Sequence, residues 1–215
     1  MSWSSGKDSA YALWEILRQG RMDVVGLLTA VTDDVERVSI HGVRESLLDA
    51  QARSVGLPVR KVHLPFPCPN HVYDTRMGRA VSALASEGVT QVVFGDLFLE
   101  DVRAYRESRL AGTGLSPVFP LWGRDTSHLA REMIRDGFEA RIVCIDPKSV
   151  PRRFAGRSFD AALLDELPPN VDPCGENGEF HTFVSAAPPL GLRIPVQIGP
   201  TVERDGFVFT DLSLP

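Results

Sequence analysis

Apolar positions along the chain switch repeatedly between two periods. Ala10, Leu13, Trp14 and Leu17 recur at i, i+3, i+4 and i+7, which places one apolar face on a helix opening after Ser9, and Val24 to Val31 follows as a buried strand. The pattern repeats with a helix through Val43, Leu47 and Ala50, a strand from Val59 to Leu64, a helix through Met77, Val81, Leu84 and Ala85, and a strand from Gln91 to Phe94. A helix from about Glu100 to Leu110 and a short strand near Val118 come next, with Pro117 and Pro120 marking that strand as an edge or terminal element. Strands alternating with helices predict an α/β fold, a doubly wound parallel sheet with crossover helices.

The texture changes near Trp122. Asp125 is placed to cap a helix carrying Leu129, Met133 and Ile134, Glu139 to Ile145 reads as a strand, and Leu163 to Leu167 reads as a short helix. A Gly-rich polar run follows, and Asp205-Gly206 between apolar residues of Val202 to Phe209 predicts a hairpin. The division expected is residues 1–122 and a smaller α+β unit over 123–215.

Composition narrows the classes. The 215 residues are 43% hydrophobic and 24% charged, the balance of a folded globular protein. No stretch reaches the roughly 20 apolar residues of a membrane span, and the start lacks the layout of a secretory signal, so no membrane and a cytoplasmic location are expected. The net charge of −5 disfavours a general nucleic-acid surface. Arg103, Arg106 and Arg109 share a helix face, which more often means a solvated stripe than a phosphate-binding one. Cys68, Cys144 and Cys174 form no C-x-x-C pair and are odd in number, so free thiols are expected. His63, Cys68 and His71 lack the paired spacing of structural zinc sites.

The first chemistry-bearing stretch is Ser4-Ser5-Gly6-Lys7-Asp8-Ser9, which opens the first helix. Unpaired N–H groups and the positive end of the helix dipole favour an anion there, small residues permit close approach, and Lys7 is expected to supply a mobile positive charge. Asp8 suits a metal-mediated or bracing role. Helix capping without a ligand is the plain alternative. The Walker spacing G-x-x-x-x-G-K-[ST] is absent. Only Met1, Ser2 and Trp3 precede the loop, so the strand expected before it is either very short or starts upstream.

The loop resembles the PP-loop, S-G-G-x-D-S, with Ser5 in place of the first Gly. Further stretches add to it: Ile40-His41-Gly42-Val43-Arg44 with Gln51, Phe94-Gly95-Asp96, Pro120 to Asp125, and Asp172-Pro173-Cys174-Gly175-Glu176-Asn177-Gly178-Glu179-Phe180-His181-Thr182. Together they resemble the diphthine-ammonia ligase family of N-type ATP pyrophosphatases across nearly the whole chain. The resemblance implies a HUP-like ATP-binding domain, a smaller substrate domain, and ATP-driven amidation of a carboxylate with AMP and pyrophosphate as products. It implies ATP and Mg²⁺ as cofactors. The partners would be ammonium and a carboxylate acceptor, diphthine on an elongation factor in the eukaryotic and archaeal members. A homodimer is compatible with the sequence.

In this light Ser4, Ser5, Gly6, Lys7, Asp8 and Ser9 are candidates for the phosphates, Thr29 and Ala30 for the adenine, and Gly95 and Asp96 for ribose or Mg²⁺ at a strand's carboxyl end. Lys7, Asp8, Glu176, Glu179 and His181 are the catalytic candidates, with His181 expected to titrate near neutrality and take a proton from ammonium. His41, Arg106, Gly175, Asn177, Gly178 and Phe180 are the substrate candidates, the carboxylates and the Phe180 ring suiting a cationic group. Lys7→Ala and Glu179→Ala would then leave a folded, inactive protein. A self-bracing polar turn is the alternative for the 176–181 run. For the whole chain the alternatives are a tRNA-modifying PP-loop enzyme and a non-catalytic ATP-binding module.

Overall fold

The computed structural model describes residues 1–33, 37–39 and 41–215. Ile40, one of the residues carrying the resemblance, lies outside them. Helix α1 (Lys7–Gln19) buries Ala10, Tyr11, Leu13 and Ile16, and stops at Gly20, whose left-handed backbone (φ 61°) lets its N–H reach the Ile16 and Leu17 carbonyls. Strand β1 (Leu27–Thr32) runs parallel to β3 (Val59–Leu64), with Leu27 opposite Val59 and Thr32 opposite Leu64. The two-residue β2 (Arg37–Val38) pairs antiparallel with β1. Between β2 and β3 runs α2 (Glu45–Val55); Val43, expected within this helix, precedes it, because its N-cap is Arg44.

Helix α3 (Asn70–Ser86) leads into β4 (Gln91–Val93), which lies parallel to β5 (Ser116–Val118) across α4 (Glu100–Leu110). Three residues at the start join the two parallel pairs. The Ser2 N–H donates to the Val93 carbonyl at 2.9 Å, the Trp3 N–H to Leu28 at 2.8 Å, and the Leu28 N–H to Met1 at 2.8 Å. Met1–Trp3 therefore bridges β1 and β4, and the chain leaves it directly into the Ser4–Ser9 turn.

The remainder is a five-stranded antiparallel sheet. Helix α5 (Thr126–Arg135) is capped by the Asp125 carboxylate, which accepts the His128 N–H at 2.8 Å. Strand β6 (Glu139–Ile145) is followed by β7 (Ser158–Phe159), helix α6 (Ala161–Glu166), β8 (Phe180–Ala186), β9 (Gln197–Arg204) and β10 (Phe207–Ser213). The sheet order is β7-β6-β10-β9, with β8 on β6. Asp205 and Gly206 turn β9 into β10 with positive φ at both positions, 52° and 82°.

One hydrophobic cluster runs through both parts: Trp3, Tyr11, Leu13, Leu47 and Leu48 pack in the same core as Phe154, Phe180, Phe183, Val208 and Leu212. Each fully buried Leu or Phe stabilises the fold by about 1.5–3 kcal/mol, so the antiparallel sheet is held against α1 and α2 by core packing. Among the described residues no helix is long and apolar enough to cross a membrane.

Candidate functional site

The Ser4–Ser9 turn lies between the parallel strands, from which Met1–Trp3 leads into it, and β8 of the antiparallel sheet, to which Ser5 and Lys7 bond. Gly6 is the N-cap of α1, and Ser5 before it is left-handed at φ 69°. A residue with a Cβ costs roughly 1–2 kcal/mol in that conformation, so neighbouring contacts must hold it. The Ser5 carbonyl accepts the Val184 N–H of β8 at 3.0 Å and the Gln51 Nε2 of α2 at 3.1 Å. The hydroxyls brace the turn internally: Ser4 Oγ lies 3.1 Å from Ser9 Oγ and 3.3 Å from the Gly6 N–H, and Ser9 Oγ donates to the Gly6 carbonyl. Ser5 Oγ is buried without a hydrogen-bond partner. An α-helix leaves its first N–H groups unmatched, and Lys7's is taken by the Thr182 hydroxyl of β8 at 3.1 Å.

Lys7 is not the mobile charge expected from the sequence. It is 1% exposed, and its Nζ donates to both Asp8 carboxylate oxygens at 2.9 Å and to the Cys174 carbonyl, beneath the Phe159 and Phe180 rings. Burial works most strongly against its charge, but the Asp8 carboxylate, with Cys174 and Asp172 adding to it, holds the pKa above its ordinary value, so the ammonium persists. Burial likewise pushes Asp8 upward against the pull of Lys7. Asp8 is the brace and Lys7 its buried partner.

Gly95 packs on the same turn. A Cβ there would lie 2.9 Å from the backbone of Asp8 and Ser9, so only glycine lets the loop after β4 close against the start of α1. Asp96 faces Arg106 of α4 at 3.6 Å, just beyond hydrogen-bond distance, and the Arg106 guanidinium lies over the Phe94 ring. Arg106 Nε is buried and makes no hydrogen bond. Among the described residues no three His, Cys, Asp or Glu groups are arranged to hold a metal ion. The Thr29 hydroxyl is buried and donates to the Trp3 carbonyl, and the Ala30 side chain packs with Leu28, Val62 and Leu64, so what these two could offer an adenine is backbone, as expected of them. Beside them, between α3 and α4, is a cavity of about 200 Å³ lined by Leu28, Tyr73, Met77, Phe94, Tyr105 and Arg106 among others.

The 172–182 stretch closes over the turn, and its end is not the wholly polar loop that its composition indicated. Phe180 and His181 begin β8. Phe180 is 1% exposed, and its ring is already occupied by the Lys7 ammonium at 5.3 Å, which removes it as a face for a cationic substrate. Glu179 is buried and accepts the Asp172 N–H, the Asn177 N–H and the Asn177 Nδ2 at 2.9–3.0 Å, bracing the loop from within. Gly175 is left-handed at φ 71°, where a Cβ would meet the Phe180 carbonyl at 2.7 Å; Gly178 is also left-handed, in open space. Glu176 reaches outward from this loop and accepts the Leu97 N–H at 2.7 Å, tying it to the segment after β4. Burial raises the Glu176 pKa to about 7, with Asp8 and Asp96 adding to the effect and the Leu97 N–H opposing it.

His181 does not titrate near neutrality. Burial, His41 and Lys7 hold it well below its ordinary value. Its ring packs against His41 with centroids 4.5 Å apart, and burial lowers His41 to about 4. Both imidazoles are therefore neutral at pH 7. His41 also lies against the turn, since a Cβ on Gly6 would come within 3.0 Å of its Cε1.

The structure thus packs Gly95 and His41 on the Ser4–Ser9 turn, sets His181 against His41, brings Glu176 near Asp8 and Asp96, and leaves Arg106 facing Asp96, while Lys7, Glu179 and Phe180 are buried as supports. Two contributors had no role assigned from the sequence, Gln51 and Thr182. Both stand in the stretches that carry the family resemblance, and Gln51 offers a local signal besides, a polar side chain on the apolar face of α2 beside Leu47 and Leu48.

A family model described as the diphthamide synthase N-terminal domain matches residues 1–116, and one described as the diphthamide synthase C-terminal domain matches residues 125–209. The chain is similar to the diphthine–ammonia ligase of Homo sapiens, 25% identical over 232 residues that cover 98% of this chain and 86% of that protein. It is similar also to that of Danio rerio, 26% identical over 236 residues covering 98% and 90%. A relative of the same name from Schizosaccharomyces pombe is 23% identical over 221 residues, covering 94% of this chain and 36% of that protein.

Proposed function

Because the chain belongs to the diphthamide synthase family, we propose that it is an ATP-dependent ligase that activates a carboxylate and joins it to ammonia, with the Ser4–Ser9 turn receiving the phosphates. The observation that carries this reading is the turn itself, a strained, small-residue loop at a helix N-terminus with an unpaired buried hydroxyl on Ser5 and a glycine, Gly95, packed against it. Residues 1–122 form the nucleotide-binding part in this reading, a doubly wound sheet with Met1–Trp3 as its central strand, and residues 123–215 close over it. The cavity beside Phe94 and Arg106 presents the aromatic rings of Tyr73, Phe94 and Tyr105, which suit a purine face in this reading.

The chemistry runs in two balanced steps. A carboxylate oxygen attacks the α-phosphorus and pyrophosphate leaves; ammonia then attacks the acyl carbon and AMP leaves, giving the amide. Ammonium must lose a proton before it attacks, and a second proton is lost as the amide forms. Glu176, whose pKa lies close to ambient pH, is suited to accept the first, whereas the neutral, weakly basic His41 and His181 are suited to donate or accept hydrogen bonds without changing charge. The carboxylates do not fit a ready-made Mg²⁺ cage, since Asp8 is held by Lys7 and Asp96 faces Arg106, and no step is assigned to protein-bound metal.

The test is incubation with ATP labelled at the α-phosphate, Mg²⁺, ammonium and candidate acceptors. Acceptor-dependent AMP is the expected product. Bound ATP that is never converted to AMP with any acceptor returns the chain to a non-catalytic nucleotide-binding module.

A further inference from the structure

Gln51 is fully buried in α2 and bonds two separate parts of the chain, the Trp3–Ser5 segment and β8. Its Oε1 accepts the Trp3 indole N–H at 3.0 Å, and its Nε2 donates to the Ser5 carbonyl at 3.1 Å and to the Val184 carbonyl at 2.7 Å. The orientation of the carboxamide has one solution. An indole N–H only donates and both carbonyls only accept, so oxygen must face Trp3 and nitrogen must face Ser5 and Val184. Both amide hydrogens are used, so the side chain is satisfied and rigid.

We infer that Gln51 is a positioning residue for the phosphate-binding turn, holding Ser5 in the left-handed conformation that aims the turn's backbone at its ligand. This rests on the proposed nucleotide reading of the Ser4–Ser9 turn. Ser5 carries a Cβ at φ 69° and its own hydroxyl has no partner, so nothing local favours that backbone. Its carbonyl is instead fixed by two donors from distant parts of the chain, Gln51 and the Val184 N–H. Removing the first lets Ser5 relax toward negative φ. If the competent turn falls to roughly a tenth of the population, apparent affinity falls by roughly tenfold.

The coupling to Ser5 separates positioning from mere packing. A glycine adopts positive φ without steric cost, so Ser5→Gly removes the need for the hold. In the Ser5 background, Gln51→Met is expected to weaken MgATP and Mg-pyrophosphate binding, measured by calorimetry on the folded full chain, by roughly tenfold. In the Ser5→Gly background the same change is expected to cost less than roughly threefold. Equal weakening in both backgrounds, or no weakening in either, overturns the inference. If Gln51→Met does not fold, Trp3→Phe removes only the bond that orients the carboxamide and is compared in the same two backgrounds. The Ser5 carbon chemical shifts, read without ligand, report its backbone conformation, and left-handed shifts that survive Gln51→Met also overturn it. A wild-type chain that binds neither ligand refutes the nucleotide reading separately, with those shifts still deciding whether Gln51 holds the turn.

Discussion

Replacing Lys7 by methionine keeps the side chain's length and its contact with the Phe159 and Phe180 rings, but strands the Asp8 carboxylate and the Cys174 carbonyl without their donor. Removing one partner of a buried ion pair costs about 3–5 kcal/mol. The Asp8 side chain keeps 28% of its exposure, so water recovers part of its solvation and the expected loss is at the lower end, about 3 kcal/mol. In a chain of this size, each kcal/mol lowers Tm by about 2–4 °C, which makes the shift roughly 6–12 °C. Urea unfolding measures the free energy directly. Adding Asp8→Asn removes the stranded charge, and the double variant is expected to recover more than half of the loss, a coupling that independent sites would not show. Loss of activity is expected in either case and does not discriminate. A Lys7→Met protein within about 1 kcal/mol of wild type, below the buried-pair range, would refute the embedded pair and restore a mobile lysine.

Glu179→Ala leaves the Asp172 and Asn177 N–H groups without their acceptor and is expected to destabilise the 172–181 loop by about 2–4 kcal/mol; unchanged hydrogen exchange at these two amides would dismiss the brace. Gly95→Ala drives a Cβ to 2.9 Å from the Asp8 and Ser9 backbone, so a loss of about 1–3 kcal/mol is expected together with weaker ATP binding, and wild-type values for both would show that the contact yields freely. Glu176 keeps in the folded state, up to about pH 7, a proton that the unfolded chain releases near 4.5. Its contribution to stability is therefore present below pH 4.5 and lost as pH rises through 7. Its ceiling of roughly 3 kcal/mol falls to roughly 1–2 because the carboxyl still meets solvent. His41, lowered to about 4, has the opposite slope, its contribution being lost as pH falls from 6.5 toward 4. The Glu176 effect is thus read as a difference: Glu176→Gln is expected to gain on wild type between pH 5 and 8, and a flat difference would contradict the assigned burial.

Where local pattern decides structure, the sequence was a sufficient guide. The limits of β3, α4 and β6, the Asp125 cap and the Asp205-Gly206 turn all follow from neighbours within a few residues, because side-chain period, capping and left-handed turns are local matters. The small-residue turn before α1 and the polar run at 172–182 were visible as candidate chemistry for the same reason. What each side chain does there was not. Lys7 turns inward because Asp8, Cys174, Phe159 and Phe180 surround it, and all but Asp8 belong to chain far away in sequence. Glu179 and Phe180 looked exposed from their glycine-rich surroundings, but the fold places them under the loop they belong to. The Thr182 hydroxyl meets Lys7 across 175 positions of sequence and Gln51 meets Val184 across 133. A composition shows which groups can bond or ionise. Which of them remain free for a ligand depends on desolvation and on partners that only folding brings within 3 Å, and that balance the tertiary structure alone decided.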